Sequence, residues 1–440
     1  MIEELAEHVE SAHYDVEDDL AIRLIDAATA FLSGINTEEY AHIRMLVGKM
    51  MPATRKGLED VFLGVSATRM SEIDDIHRKS CTTPGSIVWP TVFGCLNKFG
   101  NVSLQTVIDS VYVGYDVITW FGEAVRGPYL LSRGIWPTLF AASLGTAAVA
   151  SRMMGLSKKK TANAISLALS ASYGISIPPP KKLNARWVLI GNAAWTGFLA
   201  TMSAKEGFSA ELNLVEKRIL ENMYHVKLPS GRVRFVSRHP SLRRTSVKEY
   251  CSAKQIIAAI EALNKIITAE VNAKDIESVK LFVPTYYSHM VSIPPSPLDR
   301  LSSITSAAYQ LAVTCLKPEV LFDVRRKPLY MSDKVRKLMG KVIVAPNPSL
   351  NRYYPESWPA LVKVESSNGE YHELVTETKG DLTEKYTIED ALTKLRRFVT
   401  HYLGSARTAK IESRLVRALD SKRSFRQLAY WLTNTLFSGF

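Results

Sequence analysis

Apolar residues recur at helical spacing over most of the first 265 positions. In the stretch 18–32, Ile22, Ile25, Ala28 and Leu32 form one stripe, and 103–120 repeats the pattern. Between 161 and 171, Ala162, Ile165 and Leu169 share a face. Small residues dominate 141–150, where they let helix backbones approach closely. The period changes near residue 270. Stretches 279–287, 340–345 and 360–375 read as strands. The last is a hairpin, with alternating residues on either side of Ser367-Asn368-Gly369, whose Asn-Gly pair suits a tight turn. Two helical stretches, 299–315 and 332–339, lie between the strands, and from Thr387 the helical period returns. The pattern predicts a mostly α protein. A large all-helical domain covers 1–268, a smaller α+β domain covers 269–386, and C-terminal helices over 387–440 rejoin the helical domain.

Composition narrows this picture. A chain of 440 residues that is 46% hydrophobic can fill two packed domains. Stretches 134–151, 161–180 and 187–204 carry no charges and are long enough to raise the question of a membrane span. Their Ala, Ser, Gly and Thr content, and the Pro178-Pro179-Pro180 run, suit tightly packed core helices instead. The net charge of +12 is scattered. Its densest runs are Lys158-Lys159-Lys160, Lys181-Lys182, Arg243-Arg244 and Arg325-Arg326-Lys327, none interleaved with aromatics. That argues against a nucleic-acid groove and for solvated charge, with a few cations serving an anion pocket. The four cysteines form no CxxC pair, which speaks against a zinc site or a disulfide framework. They suit a reducing, cytoplasmic compartment. The acidic N-terminus lacks the apolar core of a secretory signal.

Several motifs occur in a telling order. Asp74-Asp75-Ile76-His77 is followed by Pro84-Gly85-Ser86-Ile87-Val88-Trp89-Pro90, then by Gly114-Tyr115-Asp116-Val117 and Arg133-Gly134-Ile135-Trp136-Pro137-Thr138. Gly191-Asn192-Ala193-Ala194 and Glu206-Gly207-Phe208-Ser209 come next. Later stand Ser306, Tyr309 and Ala312, then Leu338-Met339-Gly340-Lys341-Val342 and Lys379-Gly380-Asp381. Their order and spacing over nearly the whole chain resemble the MmgE/PrpD enzymes, the family of 2-methylcitrate dehydratase and cis-aconitate decarboxylase. The resemblance implies a helical domain, a smaller lid domain with a cleft between them, and a homodimer. It implies no metal or organic cofactor, and a small carboxylic acid as substrate.

Such chemistry needs donors that hold carboxylates and an acid/base pair that moves protons. Asp74 and Asp75 are adjacent carboxylates, with Glu72 two residues before; like charges held close raise one pKa and give a usable acid or base. A solvated loop or helix cap is the plainer alternative. His77 can share a proton network with Asp75 or be merely structural. Lys182 and Arg186 follow the triproline. By the resemblance Arg186 stands where decarboxylase-like members have a substrate-contacting lysine; it keeps the charge and can clamp a carboxylate in bidentate fashion. Lys182 can also reach into the pocket, unless both belong to a surface cluster. Tyr286, Tyr287 and His289 follow a strand of the second domain, near a pocket tyrosine of the same relatives. Tyr287 is the favoured candidate, against simple core packing. Arg133 completes the candidate set.

Three histidines of the resembled pattern are replaced, by Thr83, Trp136 and Gln255. Threonine and glutamine hydrogen-bond but do not titrate near neutral pH, and tryptophan is bulky with a single N–H. Ile76 replaces a threonine beside the aspartates. A pocket that loses titratable groups and gains apolar surface suits a larger, less charged substrate. The expectation is therefore a lyase, dehydratase or decarboxylase, acting on a small or alkylated di- or tricarboxylic acid in a specialised pathway. The alternatives are an isomerase, epimerase or cyclase for a bulkier molecule, and a non-catalytic binding protein.

Overall fold

The computed structural model describes residues 1–50, 58–100, 102–172, 184–216, 218, 221–222, 225–228, 233, 235, 240–292, 299–327 and 329–438. Two compact units divide the chain. One gathers Met1–Ser176, Ala185–Thr245 and Thr387–Phe440; the other is built on Ser246–Tyr386. Of the expected domains, 387–440 lies in the first unit and 269–386 in the second, while 246–268 falls in the second.

The first unit begins with α1 (Ile2–Ser11), α2 (Asp18–Gly34), α3 (Glu38–Met50), α4 (Leu58–Met70) and α5 (Gly85–Phe99). It continues through α6 (Leu104–Ala124), α7 (Gly127–Ser132), α8 (Pro137–Met153), α9 (Lys158–Ser170) and α10 (Arg186–Lys205). Local chemistry sets several of these limits. Asp18 and Asp19 occupy the first turn of α2, where carboxylates favour the positive end of the helix dipole. Ser103 caps α6 by accepting the Thr106 N–H at 3.0 Å. Helix α8 packs against both α6 and α10. A Cβ on Gly145 would run into the Ile118 side chain, and one on Gly197 into the Ser143 carbonyl. The small residues over 141–150 therefore do what their size suggests, and allow backbones to touch. The three long apolar stretches contribute to α8, α9 and α10, and no helix among the described residues is long and apolar enough to cross a membrane.

In the second unit, α11 (Lys254–Ala269) precedes β1 (Ile276–Val283). Then come α12 (Arg300–Thr305), α13 (Ala307–Leu316), α14 (Asp333–Met339), β2 (Val342–Pro346), β3 (Ala360–Ser366) and β4 (Gly369–Val375). The sheet order is β2-β1-β3-β4, with β1 and β2 parallel and the other pairs antiparallel. Val279, Leu281, Val362 and Val364 are buried, while Lys280 and Glu365 pair at 2.7 Å on the wetter face. That alternation is the signature of a sheet covered on one side. Helix α11 packs on β3 and β4 with Ile256, Ile260 and Leu263 buried, so it groups with the sheet. The stretch 299–315 is two helices rather than one. Ser306 breaks it and caps α13 by accepting the Tyr309 N–H at 3.3 Å. After the sheet, α15 (Ile388–Leu403), α16 (Ser405–Val416) and α17 (Lys422–Ser438) return to the first unit.

Candidate active site

The turn 71–84 joins α4 to α5 in the first unit and is almost wholly buried. A two-residue bridge holds it: the His77 N–H donates to the Thr82 carbonyl at 2.7 Å, and the Thr82 N–H returns to the His77 carbonyl at 3.3 Å. Glu72 and Cys81 adopt left-handed backbone with φ of 60° and 55°, which side chains rarely adopt without support.

Asp75 is the carboxyl of the turn that meets α5 and α6. It is 1% exposed. Its Oδ1 accepts the Gly85 N–H at 2.8 Å, at the start of α5, and its Oδ2 accepts the Tyr115 hydroxyl at 2.7 Å. Burial pushes its pKa up to about 6, and the neighbouring Asp26 adds to the rise. Arg23 and the two hydrogen bonds pull the other way without cancelling it. The Tyr115 phenol is held well above its usual value, by burial first and then by Asp75, so the tyrosine keeps its proton. A Cβ on Gly85 would sit 2.7 Å from Asp75 Oδ1 and 2.8 Å from the Tyr115 oxygen, so only glycine permits this approach.

Asp74 points into a second cluster. Arg69 Nη1, from α4, lies 2.8 Å from Glu72 Oε2 and 3.1 Å from Asp74 Oδ1. Arg186 Nη2, at the start of α10, lies 3.6 Å from Glu72 Oε1. Two indoles frame the cations. The Arg186 guanidinium stands 4.4 Å from the centroid of Trp136 and 4.8 Å from that of Trp187; Arg69 stands 5.2 and 5.8 Å from the same rings. Burial opposes the charge on Arg69, but Asp74 and Glu72 outweigh it, and its pKa is held above the ordinary value. The Arg186 side chain keeps 21% of its surface exposed, more than Arg69, Glu72 or Asp74.

His77 stands apart from Asp75. Its Nδ1 accepts the Ser80 N–H at 3.3 Å and lies 2.8 Å from Ser80 Oγ, which meets Thr82 Oγ1 at 2.6 Å. Its Nε2 faces Glu123 Oε1 at 3.5 Å, and Glu123 also pairs with Arg244 at 2.8 Å. Burial, then the charges of Arg244, Lys79 and Arg78, push the His77 pKa well below its usual value. The imidazole is neutral, and its hydrogen-bond partners are not those of Asp75.

The other candidates fall in different places. Thr83 is buried, and its N–H donates to Thr138 Oγ1 at 3.1 Å in the first turn of α8, two residues after Trp136. Arg133 is exposed and lies over the Tyr129 ring. Gln255 is buried on α11 in the second unit. Tyr287 is buried in an aromatic cluster with Tyr354 and Trp358, and its hydroxyl donates to the Pro359 carbonyl at 3.1 Å. Tyr286 and His289 belong to the same unit, with Tyr286 exposed. Lys182 and its neighbour Lys181 lie outside the described residues. Among the described residues no group of His, Cys, Asp and Glu side chains is arranged to hold a metal ion.

Arg69, Tyr115 and Trp187 belong to these clusters without standing among the candidates that the sequence offers. Arg69 had a signal, being a lone cation after the uncharged run 61–68, three residues before Glu72. Tyr115 stood inside the Gly114-Tyr115-Asp116-Val117 motif, but nothing in the sequence links it to a carboxyl 40 residues away.

The same turn and helices fall within a known family pattern. A family model for the MmgE/PrpD N-terminal domain matches residues 3–229, and one for the MmgE/PrpD C-terminal domain matches 250–420. No curated protein matches the chain.

Proposed function

Since this chain belongs to the MmgE/PrpD family, we propose that it is a lyase, a dehydratase or decarboxylase, acting on an alkylated di- or tricarboxylic acid. The family is largely one of lyases and includes 2-methylcitrate dehydratase. On this reading the chain works as a homodimer and without a metal or organic cofactor.

The observation that carries the reading is the Asp75 carboxyl. Titrating at about 6, it is poised both to take and to give a proton close to neutral pH. In a dehydration, ionised Asp75 takes the proton from the carbon beside a substrate carboxylate. It returns that proton to the departing hydroxyl, which leaves as water, and a carbon–carbon double bond remains. Tyr115 and the Gly85 N–H hold the carboxyl in place through the cycle. The pair is closed to solvent, so this reading requires the turn 71–84 to open onto substrate. Arg186, the more exposed cation, exchanges Glu72 for a substrate carboxylate.

The charge balance favours an alkylated acid over plain citrate. Arg69 and Arg186 already face Glu72 and Asp74, and indoles occupy the space around them. Extra carboxylates meet compensated cations there, whereas an alkyl chain meets apolar surface. The same observation supports a second reading, an isomerase or cyclase for a bulkier, less charged molecule.

The test is to incubate the protein with citrate, cis-aconitate, 2-methylcitrate and a longer alkylcitrate, and to follow loss of water or carbon dioxide by mass spectrometry. Faster turnover of the alkylated acids supports the proposal. A preference for plain citrate or cis-aconitate overturns the substrate class, and no turnover of any acid shifts the balance to the second reading.

A further inference from the structure

A buried lysine that no motif marks stands behind the candidate turn. Lys394 lies on α15 with no exposed surface, in a chain segment remote from the turn. Lysine is almost never fully buried unless paired, because desolvating its charge is costly. Here its Nζ donates to Asp26 Oδ1 at 2.5 Å and to the Ile73 carbonyl at 2.6 Å. Asp26, on α2, is itself buried. Ile73 is the residue directly before Asp74 and Asp75. One ammonium thus ties α2, α15 and the backbone of the candidate turn together.

We propose that Lys394 is a positioning residue of this site: with Asp26 it pins the Ile73 carbonyl and so sets where the Asp74-Asp75 carboxyls stand. The inference rests on the lyase reading for its effect on turnover, but not for its effect on Asp75 itself. Two features support it beyond the hydrogen bonds. The left-handed backbone at Glu72 needs external support, and the Ile73 carbonyl next to it receives that support from Lys394. Asp26 also acts on the Asp75 carboxyl through its charge, opposed by Arg23 on the same helix. The Tyr115 hydroxyl of α6 and the Gly85 N–H of α5 face that carboxyl as well.

The informative variant is the double substitution Asp26→Asn with Lys394→Met. Lys394→Met alone strands a buried carboxylate and is expected to unfold the chain, whereas removing both charges is frequently neutral for stability. In the folded double variant we expect kcat on the best acid of the panel to fall roughly 10- to 100-fold. KM should change little, and the lower pH midpoint of kcat/KM should move. A folded double variant with wild-type kcat overturns the proposal, since a moved midpoint alone follows from loss of the Asp26 charge. Should the wild-type protein turn over no acid, the lyase reading fails separately. The positioning role is then read from stability alone, as the pH midpoint of the difference between Asp75 and Asp75→Asn proteins. That midpoint is expected to differ between the wild-type and Lys394→Arg backgrounds, which both keep the Asp26 charge, and identical midpoints overturn the inference. If the double variant does not fold, Lys394→Arg takes its place, since it keeps the charge but changes the donor geometry. A fall in kcat or a moved midpoint then supports the positioning role, and wild-type values of both overturn it.

Discussion

Asp75 makes a claim that acid and base can check without any substrate. Its carboxyl titrates near 6 when folded, against 3.8 for the free side chain. The folded state therefore binds the proton more readily. Its contribution to stability is fully present below the unfolded value and is lost as pH rises through the folded one. A shift of this size corresponds to about 3 kcal/mol. Urea unfolding between pH 4 and pH 7 should show Asp75→Asn gaining stability relative to the wild type as pH rises; a pH-independent difference contradicts the raised pKa. Arg186→Met should raise KM roughly 10- to 100-fold with a smaller effect on kcat, since it removes a charged contact that holds the substrate. Steady-state kinetics on the best acid decide this, and an unchanged KM removes Arg186 from the binding site. Tyr287 is expected to behave differently. Its hydroxyl is spent on the Pro359 carbonyl, so Tyr287→Phe should cost about 1 kcal/mol in unfolding and leave kcat unchanged. A fall in kcat would return Tyr287 to the chemistry. These distinctions were not legible in the sequence, where Asp75, His77 and Tyr287 were all candidates for the chemistry. What separates them is which partner each polar atom finds, and the partners of Asp75 and Tyr287 lie far along the chain.

Elements were easier to read, because their signals are local. The hairpin of β3 and β4 follows from alternation and one Asn-Gly pair, and the strands meet in the register Ser366 opposite Gly369. The stripe of Ile22, Ile25, Ala28 and Leu32 became α2. The break at Ser306 was missed because apolar periodicity runs through it, while a single hydroxyl cap decides the boundary. At the junction of turn and helix, Gly85 carries a prediction. Gly85→Ala forces a methyl group against Asp75 and Tyr115. Overpacking of this kind typically costs about 1–3 kcal/mol. Thermal unfolding should show a lower Tm, and turnover should fall with it because the displaced groups are the carboxyl and the phenol that holds it. A fully active, equally stable Gly85→Ala protein contradicts the close packing on which the site is built.

At the scale of the whole molecule, the period of the sequence changes near residue 270 and reverses at Thr387, while the compact units divide at Thr245/Ser246 and at Tyr386/Thr387. The grouping of α11 with the sheet was not visible in the sequence, since a helix reads the same whichever apolar surface it covers. Nor was the tie between Lys394 and Asp26, which are 368 positions apart. The expected homodimer is checked by light scattering, which should give twice the chain mass of 49.0 kDa; a mass of one chain contradicts it. On the proposed reading, a fold of this family with Thr83, Trp136 and Gln255 in place of three expected histidines performs acid/base chemistry through Asp75. The most direct measurement is the rate of water or carbon dioxide release from the best acid by the wild type and by folded Asp75→Asn protein. The account predicts a loss of roughly 10²- to 10⁴-fold, the usual worth of a positioned general base. Turnover that survives the substitution undiminished contradicts it.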